Sequence, residues 1–325
     1  MIHSLALILF VPSVFSSVIT TLGGNLDYAE SWGYTTVKPN GHMFWWLYYT
    51  KGNDQRPLIM WLQGGPGASG TGFGNFQEFG PLDDHLRPRN TTWLLKADLI
   101  FVDNPVGTGF SYVTDDSAFT TNVDEIAADL LVWAGKWFAT HPKWQNRPFY
   151  ILSESYGGKM TAAFANVLYP AIKSGKVKCN LKGIGMGDSW ISPMDYVYAW
   201  GPYLYYLSMF SDADLQKYNQ TATQCAIDVK NGSWQEATNC WDNAEILADQ
   251  LADDVSWYNV LKRSNTDAWS KLKMKNMTPI QRLYKKHVGD PYVDPLYNLM
   301  NGPIHKKLGI PSSVTWGGQG DQVFF

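Results

Sequence analysis

Ser155 is the residue best placed to do chemistry in this chain. It stands in Phe149-Tyr150-Ile151-Leu152-Ser153-Glu154-Ser155-Tyr156-Gly157-Gly158-Lys159, where β-prone apolar residues run into a small residue, a serine and two glycines. That order describes a strand that turns sharply into a helix with a serine at the apex. Such a turn lifts a serine Oγ above a sheet as a nucleophile, and it needs small residues two positions to either side because the backbone closes on itself there. Position 157 is Gly, whereas position 153 is Ser in place of the usual Gly. The plain alternative is an ordinary strand–helix junction with a capping serine.

A second cluster supplies matching chemistry. Gly64-Gly65-Pro66-Gly67-Ala68-Ser69-Gly70-Thr71-Gly72-Phe73-Gly74 follows the apolar run Leu58–Gln63. Attack of a serine on an acyl group puts negative charge on oxygen, and two backbone N–H groups aimed at that oxygen stabilise it. One comes from the residue after the nucleophile, here Tyr156, and one from a loop after an early strand, here Gly64 or Gly65. Glycine lets the backbone approach substrate without a Cβ, and Pro66 stiffens the loop. A phosphate cradle fits less well. Gly70-Thr71-Gly72-Phe73-Gly74 lacks the spacing of a dinucleotide loop, and Gly157-Gly158-Lys159 runs into Met160 where a phosphate-binding loop has Ser or Thr.

These residues need a sheet under them. Gly41–Thr50 and Leu58–Gln63 are β-prone and flank a polar turn, which predicts a hairpin. Leu99–Asp103 is a continuous apolar run, as in a strand buried on both faces. Apolar residues at helical spacing over 122–140 predict a helix capped by Thr121 and Asp124 and stopped at His141-Pro142. The elbow strand leads to a helix from Lys159 to about Ser174, and 182–187 forms one more strand. The alternation over 40–187 predicts a mostly parallel sheet covered on both faces, whereas 190–300 is helical in pattern and reads as an inserted cap.

Composition sets the class and the address. The chain has 325 residues, a net charge of −3, 17% charged and 15% aromatic residues with 15 Trp, which fits a large aromatic core and offers no basic surface for nucleic acid. Leu5–Phe15 followed by Ser16 and Ser17 reads as a secretory signal peptide, too short for a membrane span, with a buried N-terminal strand as the alternative. Acceptor sequons for N-glycans begin at Asn90, Asn219, Asn231 and Asn276. Cys225 and Cys240 are close enough in sequence to close a local disulfide loop, leaving Cys179. No Cys or His spacing suggests a metal, and no cofactor motif is present.

Three blocks carry a resemblance. Trp61-Leu62-Gln63-Gly64-Gly65-Pro66-Gly67-Ala68-Ser69, Phe101-Val102-Asp103-Asn104-Pro105-Val106-Gly107-Thr108-Gly109-Phe110-Ser111-Tyr112 and Ser153-Glu154-Ser155-Tyr156-Gly157-Gly158-Lys159 resemble, in order and spacing, the signature blocks of the serine carboxypeptidases. The resemblance implies an α/β-hydrolase fold with an inserted helical cap, and release of single residues from the free C-termini of peptides or proteins. It implies Ser155 as nucleophile, the N–H groups of Gly65 and Tyr156 as oxyanion hole, and Gln63, Gly64 and Glu154 as the site for the substrate's terminal carboxylate. Most members have Asn where this chain has Gln63. A carboxylate held beside Glu154 requires a shared proton, so activity is expected to peak at acidic pH. The implied layout is a signal at 1–17, core at 18–190, cap at 191–300 and a return to the core at 301–325, in a secreted or lysosomal protein with no membrane span.

The same fold orders its triad Ser, Asp, His along the chain. Only His287 and His305 follow Ser155, and both read as solvated surface histidines. Gly317-Gly318-Gln319-Gly320-Asp321 looks like the family's Asp loop, but the preceding Ile310–Trp316 matches a block upstream of that loop, so Asp321 reads as coincidence. By the resemblance, about 100 further residues holding the last core strands, the Asp and the His are expected beyond residue 325. Two functions follow: a serine carboxypeptidase, or a protein that binds peptide C-termini without hydrolysis. Acyl transfer to another acceptor on the same scaffold is a narrower variant.

Overall fold

The computed structural model describes residues 15–16, 20–22, 26–52, 55–253, 255–256, 259–263, 277–288, 295–318 and 320. Most of the expected signal segment, Asn276 and Asp321 lie outside them. By its internal contacts the chain divides into Met1–Ile191 with Pro291–Phe325, and Ser192–Asp290.

The first unit is built on one mixed sheet. Its strands are β1 (Phe15–Ser16), β2 (Thr20–Leu22), β3 (Leu26–Lys38), β4 (Gly41–Thr50), β5 (Leu58–Leu62), β6 (Asp98–Val102), β7 (Tyr112–Val113), β8 (Pro148–Glu154) and β9 (Asn180–Gly187). The order is β1-β3-β4-β6-β5-β8-β9, with β2 on β3 and β7 on β4. Strands β6, β5, β8 and β9 run parallel to one another, and the pairs β3–β4 and β4–β6 are antiparallel.

The expected hairpin needs correction. β4 and β5 do not form a hairpin, because β6 lies between them. Asp98 at the start of β6 explains the insertion. Its carboxylate accepts from the Thr50 N–H at 3.0 Å, Arg56 at 3.1 Å and Arg147 at 2.6 Å, which pins both ends of the 51–57 turn to β6. Asp98 is fully buried, so its two guanidinium partners are what make a carboxylate tolerable there. The hairpin partner of β4 is instead β3, a strand whose polar residues obscure it in the sequence, joined through Asn40 at φ 61°.

Side-chain alternation divides the sheet into two cores. Met43, Trp45, Leu47, Met60, Ile100, Val102 and Ile151 face one side, against α1 (Val123–Thr140) and α2 (Tyr156–Lys173). Phe44, Trp46, Tyr48, Trp61, Leu99 and Phe101 face the other, against a wide π-type helical turn at Gly70–Phe79 and the segment Leu296–Trp316. The start of α1 differs by one residue from expectation. Asn122 caps it by accepting from the Glu125 N–H at 2.9 Å, and the Glu125 carboxylate accepts from the Thr121 N–H at 2.8 Å. Thr121 therefore serves the cap from outside the helix.

The second unit is helical: α3 (Pro193–Tyr206), α4 (Asp212–Lys230), α5 (Trp234–Leu251) and α6 (Pro279–Val288). It has its own core around Val197, Phe210, Tyr218 and Ala244. A disulfide between Cys225 and Cys240 ties α4 to α5, and Cys179 is a free, buried thiol. Among the described residues no helix is long and apolar enough to cross a membrane.

Candidate active site

Ser155 follows β8 directly and α2 begins on the next residue, three positions earlier than the sequence pattern suggests. Its φ of 51° and ψ of −128° are unusual for a residue with a side chain. The turn is held from both sides. The Ser155 N–H donates to the Gly187 carbonyl at 3.0 Å, and its carbonyl accepts from Trp190 N–H at 2.8 Å and Gly158 N–H at 3.0 Å. A Cβ on Gly157 would lie 2.5 Å from the Leu62 carbonyl oxygen and 3.0 Å from Ser153 Cβ, so only hydrogen fits at that position. Ser155 itself is exposed.

The glycine loop lies against this turn. A Cβ on Gly64 would be 2.8 Å from Ser155 Cβ and 3.2 Å from its Oγ. Gly65 has φ 110°, a conformation that side chains disfavour. Its N–H has no hydrogen-bond partner among the described residues. The Tyr156 N–H opens α2 and so has no acceptor inside the helix. One free donor thus adjoins the serine in the chain, and the other follows Gly64 in the loop that packs on it.

Asp103, at the end of β6, locks the far end of that loop. Wholly buried, it accepts from Ser69 Oγ at 2.7 Å, Thr71 N–H at 3.0 Å, Thr71 Oγ1 at 2.7 Å and Phe110 N–H at 2.8 Å. Ser69 in turn accepts from Trp316 Nε1–H at 2.9 Å. Burial pushes the Asp103 carboxyl above its ordinary pKa while these four donors pull it back.

Beside Ser155, on the β5 side, sits a group of polar residues. Gln63 Oε1 accepts from Trp61 Nε1–H at 2.6 Å, which fixes the amide so that Nε2 donates to Glu78 at 2.8 Å and to Glu154 at 2.5 Å. Glu78 and Glu154 thus meet at one amide nitrogen, and each acts on the other's ionisation. Burial pushes Glu154 up to about 7, helped by the nearby Glu78 and Asp188 charges. Burial also raises Glu78, against the hydrogen bonds from Gln63 and Glu154 and the charge of Arg89. Two carboxyls that meet at one amide nitrogen repel each other when both are ionised, which favours a proton on one of them. The sequence reading placed Gln63 and Glu154 here and missed Glu78. Its one available signal was an acid standing alone in the glycine- and aromatic-rich stretch Gly70–Phe79.

The two candidate histidines are engaged elsewhere and are not the solvated residues expected. His287 pairs with Asp249 of α5 at 2.7 Å, beside Lys286, and its side chain is fully buried. His305 bonds the Val314 carbonyl at 3.0 Å. Among the described residues no imidazole hydrogen-bonds to Ser155 Oγ. Asn90, Asn219 and Asn231 are exposed.

Comparison with known proteins follows this geometry. The family model for serine carboxypeptidases matches residues 21–325. The retinoid-inducible serine carboxypeptidase of Mus musculus is 48% identical over 301 residues, covering 91% of this chain and 67% of that protein. The Homo sapiens protein of that name matches at the same identity and coverage. Serine carboxypeptidase-like 51 of Arabidopsis thaliana is 41% identical over 319 residues, 92% of this chain and 69% of that one. Among solved structures, the prohormone-processing carboxypeptidase Kex1 of Saccharomyces cerevisiae superposes with a TM-score of 0.72 at 20% identity, covering 92% of this chain and 67% of that chain. That likeness gives the fold: an α/β-hydrolase.

Proposed function

The chain belongs to the serine carboxypeptidase family, and from that premise we propose that it releases the last residue of a peptide by attack of Ser155 on the final peptide bond. The observation that carries this reading is the pair of carboxyls, bridged by the Gln63 amide, beside the strained serine. Glu78 and Glu154, oriented by Gln63, offer an O–H to a ligand that is itself a carboxylate. Gly64, next to Gln63, packs against Ser155 and the Glu154 backbone carbonyl. A peptide held by its terminal carboxylate would present its last carbonyl carbon to Ser155 Oγ. The Gly65 and Tyr156 N–H groups would then receive the oxygen that becomes negative. The acyl group passes to Ser155, the terminal amino acid leaves, and water releases the shortened peptide.

The carboxyl pair dictates a pH dependence. A substrate terminal carboxylate is ionised throughout the range above pH 4 or so. Below about 7 Glu154 keeps its proton and donates it to the ligand. Above that the pair ionises, loses its donor and repels the substrate. The affinity of an N-acyl dipeptide acid is therefore expected to be flat at mildly acidic pH and to fall by up to about tenfold per unit above pH 7, with the matching amide unaffected. Titration calorimetry against pH reads this directly; an affinity constant up to pH 9 would reject the carboxyl pair as the binding site.

A second reading rests on the absence, among the described residues, of an imidazole on Ser155: the chain captures peptide C-termini without hydrolysis. Fluorophosphonate labelling separates the two. Labelling that disappears in Ser155→Ala supports hydrolysis. A folded chain that binds dipeptide acids and takes no label supports capture. For cellular location, we infer a secretory route from the Leu5–Phe15 run, the exposed sequons and the disulfide, which persists in oxidising compartments.

A further inference from the structure

The sheet order puts the two sides of Ser155 to different use. β8 carries Ser155, β5 lies to one side with Gln63, and β9 lies to the other, leading into Asp188-Ser189-Trp190. The carboxylate-binding residues are all on or toward the β5 side. On the β9 side the Trp190 ring stacks on Tyr156 with centroids 5.7 Å apart and planes 24° apart. Lys159, one helical turn after Ser155, places its ammonium 4.5 Å from the Trp190 centroid and 5.2 Å from that of Tyr156. Among the described residues no carboxylate pairs with that ammonium and no hydrogen bond reaches it. Half-burial pulls its pKa below the ordinary lysine value. A cation held against aromatic faces without a counter-ion, beside a nucleophile, is suited to an incoming anion.

On the reading under Proposed function, a peptide anchored by its terminal carboxylate on the β5 side must run across Ser155 toward β9. Its terminal residue then sits between Ser155 and the carboxyl pair, and its penultimate residue sits over Tyr156 and Trp190. We propose that Lys159 selects the penultimate side chain, favouring peptides that end in Glu or Asp followed by one further residue. The stacked rings take the aliphatic part of that side chain and the ammonium takes its carboxylate.

The test is titration calorimetry at about pH 6, where a side-chain carboxylate is ionised, on the Ser155→Ala chain so that nothing turns over. The probes are N-acetyl-Glu-Phe, N-acetyl-Gln-Phe, N-acetyl-Lys-Phe and N-acetyl-Glu-Phe amide. The expected order is Glu over Gln over Lys, with about tenfold between Glu and Lys. Lys159→Met, which keeps an apolar stem on the rings, should bring that ratio near one, and Lys159→Glu should invert it. The preference for acid over amide should persist in every variant, because the carboxyl pair lies on the other side of Ser155; its persistence also shows that the variants are folded. A Glu-to-Lys ratio near one in the parent, or a ratio that survives Lys159→Glu, overturns the proposal while leaving the carboxylate reading intact. Loss of the acid-over-amide preference in the parent itself overturns that reading, and this proposal with it.

Discussion

Asp103→Asn is expected to destabilise the chain by about 3–5 kcal/mol, a large part of the total stability of an ordinary domain. The carboxylate accepts four hydrogen bonds in a fully buried site, from Ser69, Thr71 twice and Phe110. An amide of the same shape keeps one acceptor oxygen and turns an NH₂ toward two of these donors. In either orientation one buried backbone N–H, of Thr71 or Phe110, loses its acceptor and faces the NH₂, and the neighbouring hydroxyl must turn from donor to acceptor. Repair by a shift of the backbone is closed off, because a Cβ on Gly109 would already lie 2.2 Å from Asp103 Oδ2, which shows how tightly the chain wraps the carboxylate. Chemical denaturation monitored by tryptophan fluorescence measures the loss. Asp115→Asn, on an exposed turn, serves as the control expected to change little. The consequence reaches the site as well. Ser69 is tied to Gly318 and Trp316, and Ala68 N–H returns to the Gly64 carbonyl at 3.1 Å, so freeing Ser69 loosens the loop that carries Gly64 and Gly65. A variant as stable as the parent would show that the donors have other acceptors and that Asp103 is not the anchor.

Gly64→Ala is expected to slow fluorophosphonate labelling of Ser155 by about 100-fold or more while the chain still folds. The added methyl would stand 2.8 Å from Ser155 Cβ, 3.2 Å from Oγ and 3.3 Å from the Glu154 carbonyl oxygen. None of these is the far end of a flexible side chain, so either the elbow or the glycine loop must move. Either movement shifts the hydroxyl relative to the glycine loop that packs on it. The cost in stability is smaller, about 1–3 kcal/mol, since the clash is local and the neighbouring hydroxyl is exposed. Gly302→Ala, at a position where a Cβ meets open space, should be silent in both assays. Labelling of Gly64→Ala at the parent rate would mean that the glycine loop is not part of the reacting site.

Both predictions depend on contacts that differ in how far the sequence discloses them. The elbow at Ser155, the glycine loop after β5, the stripe of Ile126, Leu130, Trp133 and Trp137 on α1 and the helical run after Ser192 are all local patterns. Local backbone preference and hydrophobic period write such patterns into neighbouring residues, so they are readable without a structure. The small residue at 153 and the glycine at 157 announce a close approach even though the partner, the Leu62 carbonyl, lies far along the chain.

The remainder is long-range, and one residue's type does not name its partner. Nothing near Glu78 in the chain says that it meets Glu154 at the Gln63 amide, because that depends on a 10-residue π-type turn delivering it to the end of β5. Asp103 reads as the polar end of an apolar strand until its four donors converge on it from 69–71 and 110. The insertion of β6 between β4 and β5 is settled by Asp98 binding Thr50, Arg56 and Arg147 together, and the hairpin signal in the sequence carries no trace of it. His287 reads as solvated from its polar neighbours, yet Asp249 of another helix buries it. In this protein the sequence alone determined the turn that lifts Ser155 and most of the segments that form helices and strands, because each depends on residues a few positions apart. The tertiary structure alone decided which strands are neighbours, which carboxyls meet at Gln63 and where Lys159 lies, because burial and charge pairing depend on what folding brings together.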